Sequence, residues 1–336
     1  MPSFEDIIAA LKGGKPQPDA MPFGVGGPAE PMAEPTNIIN PIIGHVAQKT
    51  LDVPKNLIDQ AAQFDPNDIH GSTQRVIPAA ADTVMALMGR GIAAPTKGLG
   101  AFGGINAKTA NLRNLDMAMT QAAQGADPAR TRLLTGWEQH PIDQKWRFEI
   151  PDNKLAMKFM PKNVGDTAVG SMDSLVKHPE LMKAYPDLRG LRLDLTKDAS
   201  QMGGGYLPAS GSLSPRFETH AVTPAGARDV LSHELQHGIQ DIEGFTAGAA
   251  PEMFAPEFEK MMRKNNLPYN YEKLDELANK TYHNTAGEVE ARNVSKRMDL
   301  SPLQRLVTPP AMTQDVPYHE QYDTQKMIEL LKSRFK

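Results

Sequence analysis

The sequence predicts an α+β domain behind an N-terminal region that is mostly α-helical and partly disordered. Three observations carry this expectation. Strand-like runs begin only after about residue 127, a long and well-capped helix is written at 224–243, and the pattern before residue 125 is helical but repeatedly broken by proline.

Taken in order, Ser3 followed by Asp6, with Phe4, Ile7, Ile8 and Leu11 at helical spacing and Gly13-Gly14 behind them, predicts a short capped amphipathic helix. Residues 15–36 are rich in Pro, Gly, Ala and Glu without apolar periodicity, the composition of a flexible linker. Pro41, Pro54, Pro66, Pro78 and Pro95 then interrupt the helical pattern, so short helices are expected there. Lys145-Trp-Arg-Phe-Glu-Ile150, residues 155–159 and Leu191-Arg-Leu-Asp-Leu195 read as strands, the last by its period-two alternation. Trp137 and Trp146 flank a Pro-Ile-Asp turn as core aromatics of a hairpin. Gly203-Gly-Gly-Tyr206 reads as a turn before an irregular strand near 206–213. No Lys-Ser/Thr follows it, which argues against a phosphate cradle.

Thr223 is a good N-cap, Pro224 suits the first helical position and Gly244 suits the position past the end. Between them Val230, Leu231, Leu235, Ile239 and Ile242 supply an apolar face. Further helices are expected at 256–264, 271–280, 286–298 and 324–335. The chain is thus divided into a short helix plus linker (1–36), a helical region (37–114), the α+β domain (115–310) and a C-terminal helical tail (311–336).

A formal net charge of −4, with no long block of like charge, gives no nucleic-acid signature. The chain has no cysteine, which rules out a disulfide framework and a thiolate metal site. The first residues lack a basic stretch followed by an apolar run, so no secretory signal is expected. No run of about 18 apolar residues predicts a transmembrane segment either; the Ala/Gly-rich stretch at 76–104 is interrupted by Asp82, Arg90 and Lys97.

His233-Glu-Leu-Gln-His237 spells H-E-x-x-H inside the capped helix. Residues i and i+4 lie one above the other, so both imidazoles can reach one Zn²⁺ while Glu234 serves as general base toward a water the metal activates. A catalytic zinc site needs a third protein ligand. A later histidine at the metzincin spacing is ruled out, because Gln240 and Glu243 stand where Gly and His would be. Glu288 and Glu290 are the candidates, and being about 200° apart on a helix only one can face the metal. Glu288 is preferred, since Ala291 on its face would let the helices approach closely; Glu290 stays as the alternative. Tyr282 and His283 are the nearest candidate oxyanion donors. His45, His70, His140, His178, His220 and His319 are expected as surface or loop residues.

The run Leu231-Ser-His-Glu-Leu-Gln-His-Gly-Ile-Gln-Asp-Ile-Glu-Gly-Phe245 and the later Ala286-Gly-Glu-Val-Glu-Ala-Arg-Asn293 carry a family likeness. With Thr135-Gly-Trp137, Lys145-Trp-Arg-Phe-Glu-Ile150, His178-Pro-Glu-Leu181 and Lys183-Ala-Tyr-Pro-Asp-Leu188, they resemble the metallopeptidase-like large polyvalent protein-associated domains of bacteriophage and prophage polyproteins, over about residues 115–310. The resemblance implies a zincin-like fold, a small twisted sheet packed on the H-E-x-x-H helix, and metal ligands His233, His237 and a glutamate of the Gly-Glu-x-Glu-Ala-Arg stretch, a gluzincin pattern. It also implies a phage-encoded protein of the virion or the host cytoplasm. The expected function is zinc-dependent hydrolysis of a protein or peptide substrate, with other virion proteins as partners of the N-terminal region. Two rivals stand beside it: a structural or ejected virion protein that keeps the zincin fold without turnover, and a binding module whose H-E-x-x-H is coincidental.

Overall fold

The computed structural model describes residues 101–334 apart from 151–153, 201, 211–213, 267–268, 299, 301–304 and 306–307. The helix expected at 3–12, the linker at 15–36 and the proline-broken helices up to residue 100 lie outside the described residues.

Strand β1 (Ala101–Gly103) is followed by helices α1 (Leu112–Ala123) and α2 (Pro128–Thr135), then β2 (Trp137–Gln139) and β3 (Trp146–Ile150). The strands form an antiparallel sheet in the order β1-β3-β2, with Ala101 opposite Ile150 and Trp137 opposite Phe148. Asn111 and Asp127 cap the two helices with side-chain oxygens. The hairpin expected around the two tryptophans is present, with Trp137 buried and its ring 4.8 Å from that of Phe148. Because β1 pairs with β3, the domain starts before the boundary drawn at 115. A three-residue strand is too short for periodicity to reveal.

Next come β4 (Ala156–Met157), β5 (Thr167–Ser171), α3 (Met172–Leu175), β6 (Val176–Lys177) and α4 (Pro179–Ala184), then β7 (Arg192–Thr196), β8 (Gly203–Leu207) and β9 (Arg216–His220). The strand expected at 155–159 shrinks to two residues paired with β6. The main sheet runs β5-β7-β9-β8; β7 and β9 are parallel and both outer strands are antiparallel to their neighbours. The glycine triplet is therefore strand, not turn. Its composition is poor for a strand, yet a Cβ on Gly204 would lie 2.6 Å from the Glu218 carbonyl oxygen and 2.9 Å from the Glu234 side chain, so only glycine lets this edge strand lie against the next helix.

That helix is α5 (Pro224–Glu243), followed by α6 (Ala255–Lys264), α7 (Tyr271–His283), α8 (Ala286–Arg297) and α9 (Thr324–Arg334). Both ends of α5 are as expected: the Thr223 side chain accepts from the Gly226 N–H, and Gly244 closes the helix at φ 62°. Leu231, Leu235 and Ile239 are buried in one core with Phe217, Leu193 and Met182. At about 1.5–3 kcal/mol for each large apolar side chain, this burial dictates how the helix is rotated on the sheet. Ile242, expected on the same face, is 38 % exposed in the last turn.

The tail expected at 311–336 is not separate over its described residues. The Tyr322 carbonyl accepts from the Ala286 N–H at 2.8 Å and the Tyr322 N–H donates to the Asn284 carbonyl at 3.0 Å, so this segment braces the start of α8. Two of the histidines expected as surface or loop residues lie between elements, as loop residues do, with their side chains buried. His178 caps α4 through Nδ1, and burial pushes its pKa down to about 4; His140 packs edge-on against Tyr318. No helix among the described residues is long and apolar enough to cross a membrane.

The charged face of β3 is the buried one. Glu149 accepts from both Arg132 and Arg297, while Arg147 reaches Asp143 and Glu290. Beside them Glu138 lies 3.1 Å from Arg132, and burial pushes its pKa up to about 7 from the ordinary 4.5 despite that cation. A pKa raised on folding means stability that is full below 4.5 and lost as pH rises through 7. With the side chain 19 % exposed, about 2 kcal/mol is at stake. Glu138→Gln mimics the protonated acid, so the variant should lose about that much less stability than wild type between pH 5 and pH 8 in urea unfolding. Identical pH dependence in the two proteins would contradict this account of Glu138.

Candidate metal centre

Helix α5 carries His233 and His237 one turn apart, with their Nε2 atoms 3.0 Å from each other and their rings near perpendicular. Helix α8 crosses it and delivers Glu288 from its first turn. Glu288 Oε2 lies 3.3 Å from His233 Nε2, and Oε1 lies 3.3 Å from His237 Nε2. The donor atoms of the three residues all fall within 4.8 Å of one another. A tetrahedral zinc with ligand bonds of about 2.0–2.1 Å has edges of about 3.3 Å, so the observed separations suit such an ion. The chemistry of the set agrees. Glu288 is almost wholly buried, its Oε2 accepts no well-formed hydrogen bond, and two imidazole Nε2 atoms face one another across the same space.

Local packing explains why Glu288 reaches this point. A Cβ on Gly287 would sit 2.3 Å from the Ala247 backbone, so glycine there lets α8 press against the loop that follows α5; Ala291, a turn later, is fully buried. The Ala249 N–H donates to Glu288 Oε1 at 3.0 Å and fixes the carboxylate from the loop side. Burial would raise the Glu288 pKa, but the neighbouring imidazoles outweigh it and hold the carboxyl well below its usual range. Burial likewise would lower that of His237, yet the charge and hydrogen bond of Glu288 push it up to about 9.

Of the two glutamates the sequence left open, Glu288 meets the histidines and Glu290 does not. Glu290 Oε1 accepts from Gln236 Nε2 at 2.8 Å and Gln240 Nε2 at 3.2 Å, while Oε2 accepts from Arg147 Nε. Glu234 is buried and lies against the edge strand β8 at Gly204. Burial raises its pKa, and the two histidines partly oppose that. Tyr282 lies near enough to Glu288 to feel its charge; burial, then that charge, raise its pKa. His283 is not at the centre. It is exposed and points to Asp315, 3.8 Å away.

Sequence reading missed Gln236, Gln240 and Arg147. Gln236 is fully buried and clamps β1 at both ends of one residue, accepting from the Phe102 N–H and donating to the Phe102 carbonyl at 2.9 and 3.1 Å. Gln240 Nε2 donates to the Gly287 carbonyl at 2.9 Å, and its Oε1 lies 2.9 Å from His237 Nδ1. Arg147 is 2 % exposed and its guanidinium stacks 3.8 Å over the Phe245 ring. The available signal was polar residues on the inward stripe of α5 and a guanidinium between Trp146 and Phe148.

Residues 100–158 match the family described as large polyvalent protein associated domain 23. The match covers a minority of the chain, from β1 through β4, and includes Phe102 and Arg147 but none of His233, Glu234, His237 and Glu288. No curated protein and no solved structure matches the chain.

Proposed function

We propose that this chain is a zinc-dependent, peptidase-like hydrolase of gluzincin character, encoded by a phage or mobile element and acting on protein or peptide bonds. The observation that carries the reading is the convergence of His233 and His237 from α5 with Glu288 from α8, beside Glu234 on the same turn of α5. The match to a polyvalent-protein domain supports the phage setting, whether in the virion or in the host cytoplasm.

His233, His237 and Glu288 would hold the ion, which when bound supplies Lewis acidity and lowers the pKa of water. Glu234 takes up a proton and returns it to the leaving amine; its raised pKa brings it nearer neutrality, as that exchange requires. Packing against strand β8 holds the Glu234 side chain in place, and the hydroxyl of the half-buried Tyr282 is a donor for developing negative charge on the scissile carbonyl oxygen. The test is hydrolysis of casein and of a mixed peptide library by the full chain. Cleavage should stop on chelation and return on adding zinc. Cleavage that persists in excess chelator, or none with zinc bound at full occupancy, would oppose the reading; the second outcome favours a virion protein without turnover.

A further inference from the structure

We infer that Gln240 is a positioning residue that fixes the tautomer of His237, and that Arg147, acting through Glu290, fixes Gln240 in turn. The inference rests on the metal-centre reading and deepens it. An amide side chain can be turned either way round, and which end faces an imidazole decides which ring nitrogen carries the proton. At Gln240 the choice is forced. One end of its amide faces two oxygens, the Gly287 carbonyl at 2.9 Å and Glu290 Oε1 at 3.2 Å, so that end must be the NH₂. The oxygen is then the atom 2.9 Å from His237 Nδ1, which must donate a proton to it. A neutral His237 therefore carries its hydrogen on Nδ1, and Nε2 is left with a lone pair facing Glu288 and His233.

Glu290 in turn meets only donors: Gln236 Nε2 and Gln240 Nε2 on one oxygen, Arg147 Nε on the other. Both of its oxygens therefore act as acceptors. Arg147 is itself held by Asp143, with NH1 and NH2 donating at 2.9 and 2.8 Å, and by the Phe245 ring. The polarity of each bond follows from the one before it, from Asp143 to Arg147 to Glu290 to Gln240 to His237. Arg147 lies in the segment that matches the polyvalent-protein domain, so that segment orients a ligand it does not contain. Hydrogen-bond partners behind metal-ligating histidines are typically worth about 10–100-fold in metal affinity.

The test uses the full chain, with zinc affinity from chelator competition, melting of the metal-free protein as a check on folding, and ¹⁵N-histidine spectra of the zinc-loaded form. Gln240→Met keeps size and removes the acceptor without placing a second carboxylate beside Glu290. Wild type should show the His237 Nδ1–H protected from solvent exchange. Gln240→Met should lose that protection and bind zinc about 10–100-fold more weakly. Gln240→Met binding zinc as wild type does, with the protected proton intact, would overturn the inference. If that variant does not fold, a wild-type His237 Nδ1–H that exchanges freely with solvent would overturn it. Wild type that binds no zinc would instead overturn the metal-centre reading itself.

Discussion

Replacing Glu234 by glutamine should lower hydrolysis by about two to four orders of magnitude, the usual contribution of a positioned general acid–base, and leave zinc content unchanged. The substitution is close to isosteric. It keeps the size and one carbonyl oxygen of the side chain while removing the capacity to take up and return a proton. Glu234 is not among the three converging ligands, so metal content should not depend on its charge. Steady-state rates on a cleaved peptide, beside metal analysis of the same preparations, check both halves. Unchanged turnover in Glu234→Gln would remove Glu234 from the chemistry. Loss of zinc together with turnover would make it a structural support of the site.

Replacing Arg147 by alanine should destabilise the domain by about 3–5 kcal/mol, the usual result of leaving buried charges without their partner. Arg147 lies between two carboxylates, Asp143 and Glu290, and also packs on Phe245. Burial would raise the Asp143 pKa, but the neighbouring His140 imidazole, the Arg147 hydrogen bonds and the Arg147 charge outweigh it and hold the carboxyl well below its ordinary 3.8. A carboxyl with a depressed folded pKa adds stability that is present above pH 3.8 and lost as pH falls below it. Without Arg147 most of that support goes. The deficit should therefore be larger at pH 7 than at about pH 3, when measured by denaturant unfolding at each pH. A loss below about 1 kcal/mol at pH 7 would mean that water enters and solvates the two carboxylates.

The central helix was legible because its determinants are local. Thr223, Pro224 and Gly244 mark its ends, and Leu231, Leu235 and Ile239 recur within a few residues of one another. The candidate site was nearly as legible, since an i, i+4 histidine pair shares a helix face and the later glutamates lie two positions apart on another. What sequence left obscure depends on distant partners. Gly203-Gly-Gly looks like a turn until Glu218 and Glu234 are known to lie against Gly204. Arg147 and Glu290 are 143 residues apart, and nothing local announces that a strand buries its charged face. Strands β5 and β9, five residues each, carry Gly, Ser, Thr and charged residues that weaken any apolar alternation. The tail was set apart because its bond to Ala286 runs through the Tyr322 backbone, which side-chain pattern does not encode.

The central claim is that His233, His237 and Glu288 together hold one zinc ion, and metal stoichiometry tests it most directly. Wild type, the His233→Ala/His237→Ala double variant, Glu288→Ala and Glu290→Ala would be purified alike, dialysed against a weak chelator and analysed for zinc. The expected result is one zinc per chain in wild type, none in the double variant, a large loss in Glu288→Ala and a smaller loss in Glu290→Ala. No zinc in wild type, or a double variant with unchanged metal content and thermal stability, would contradict the account.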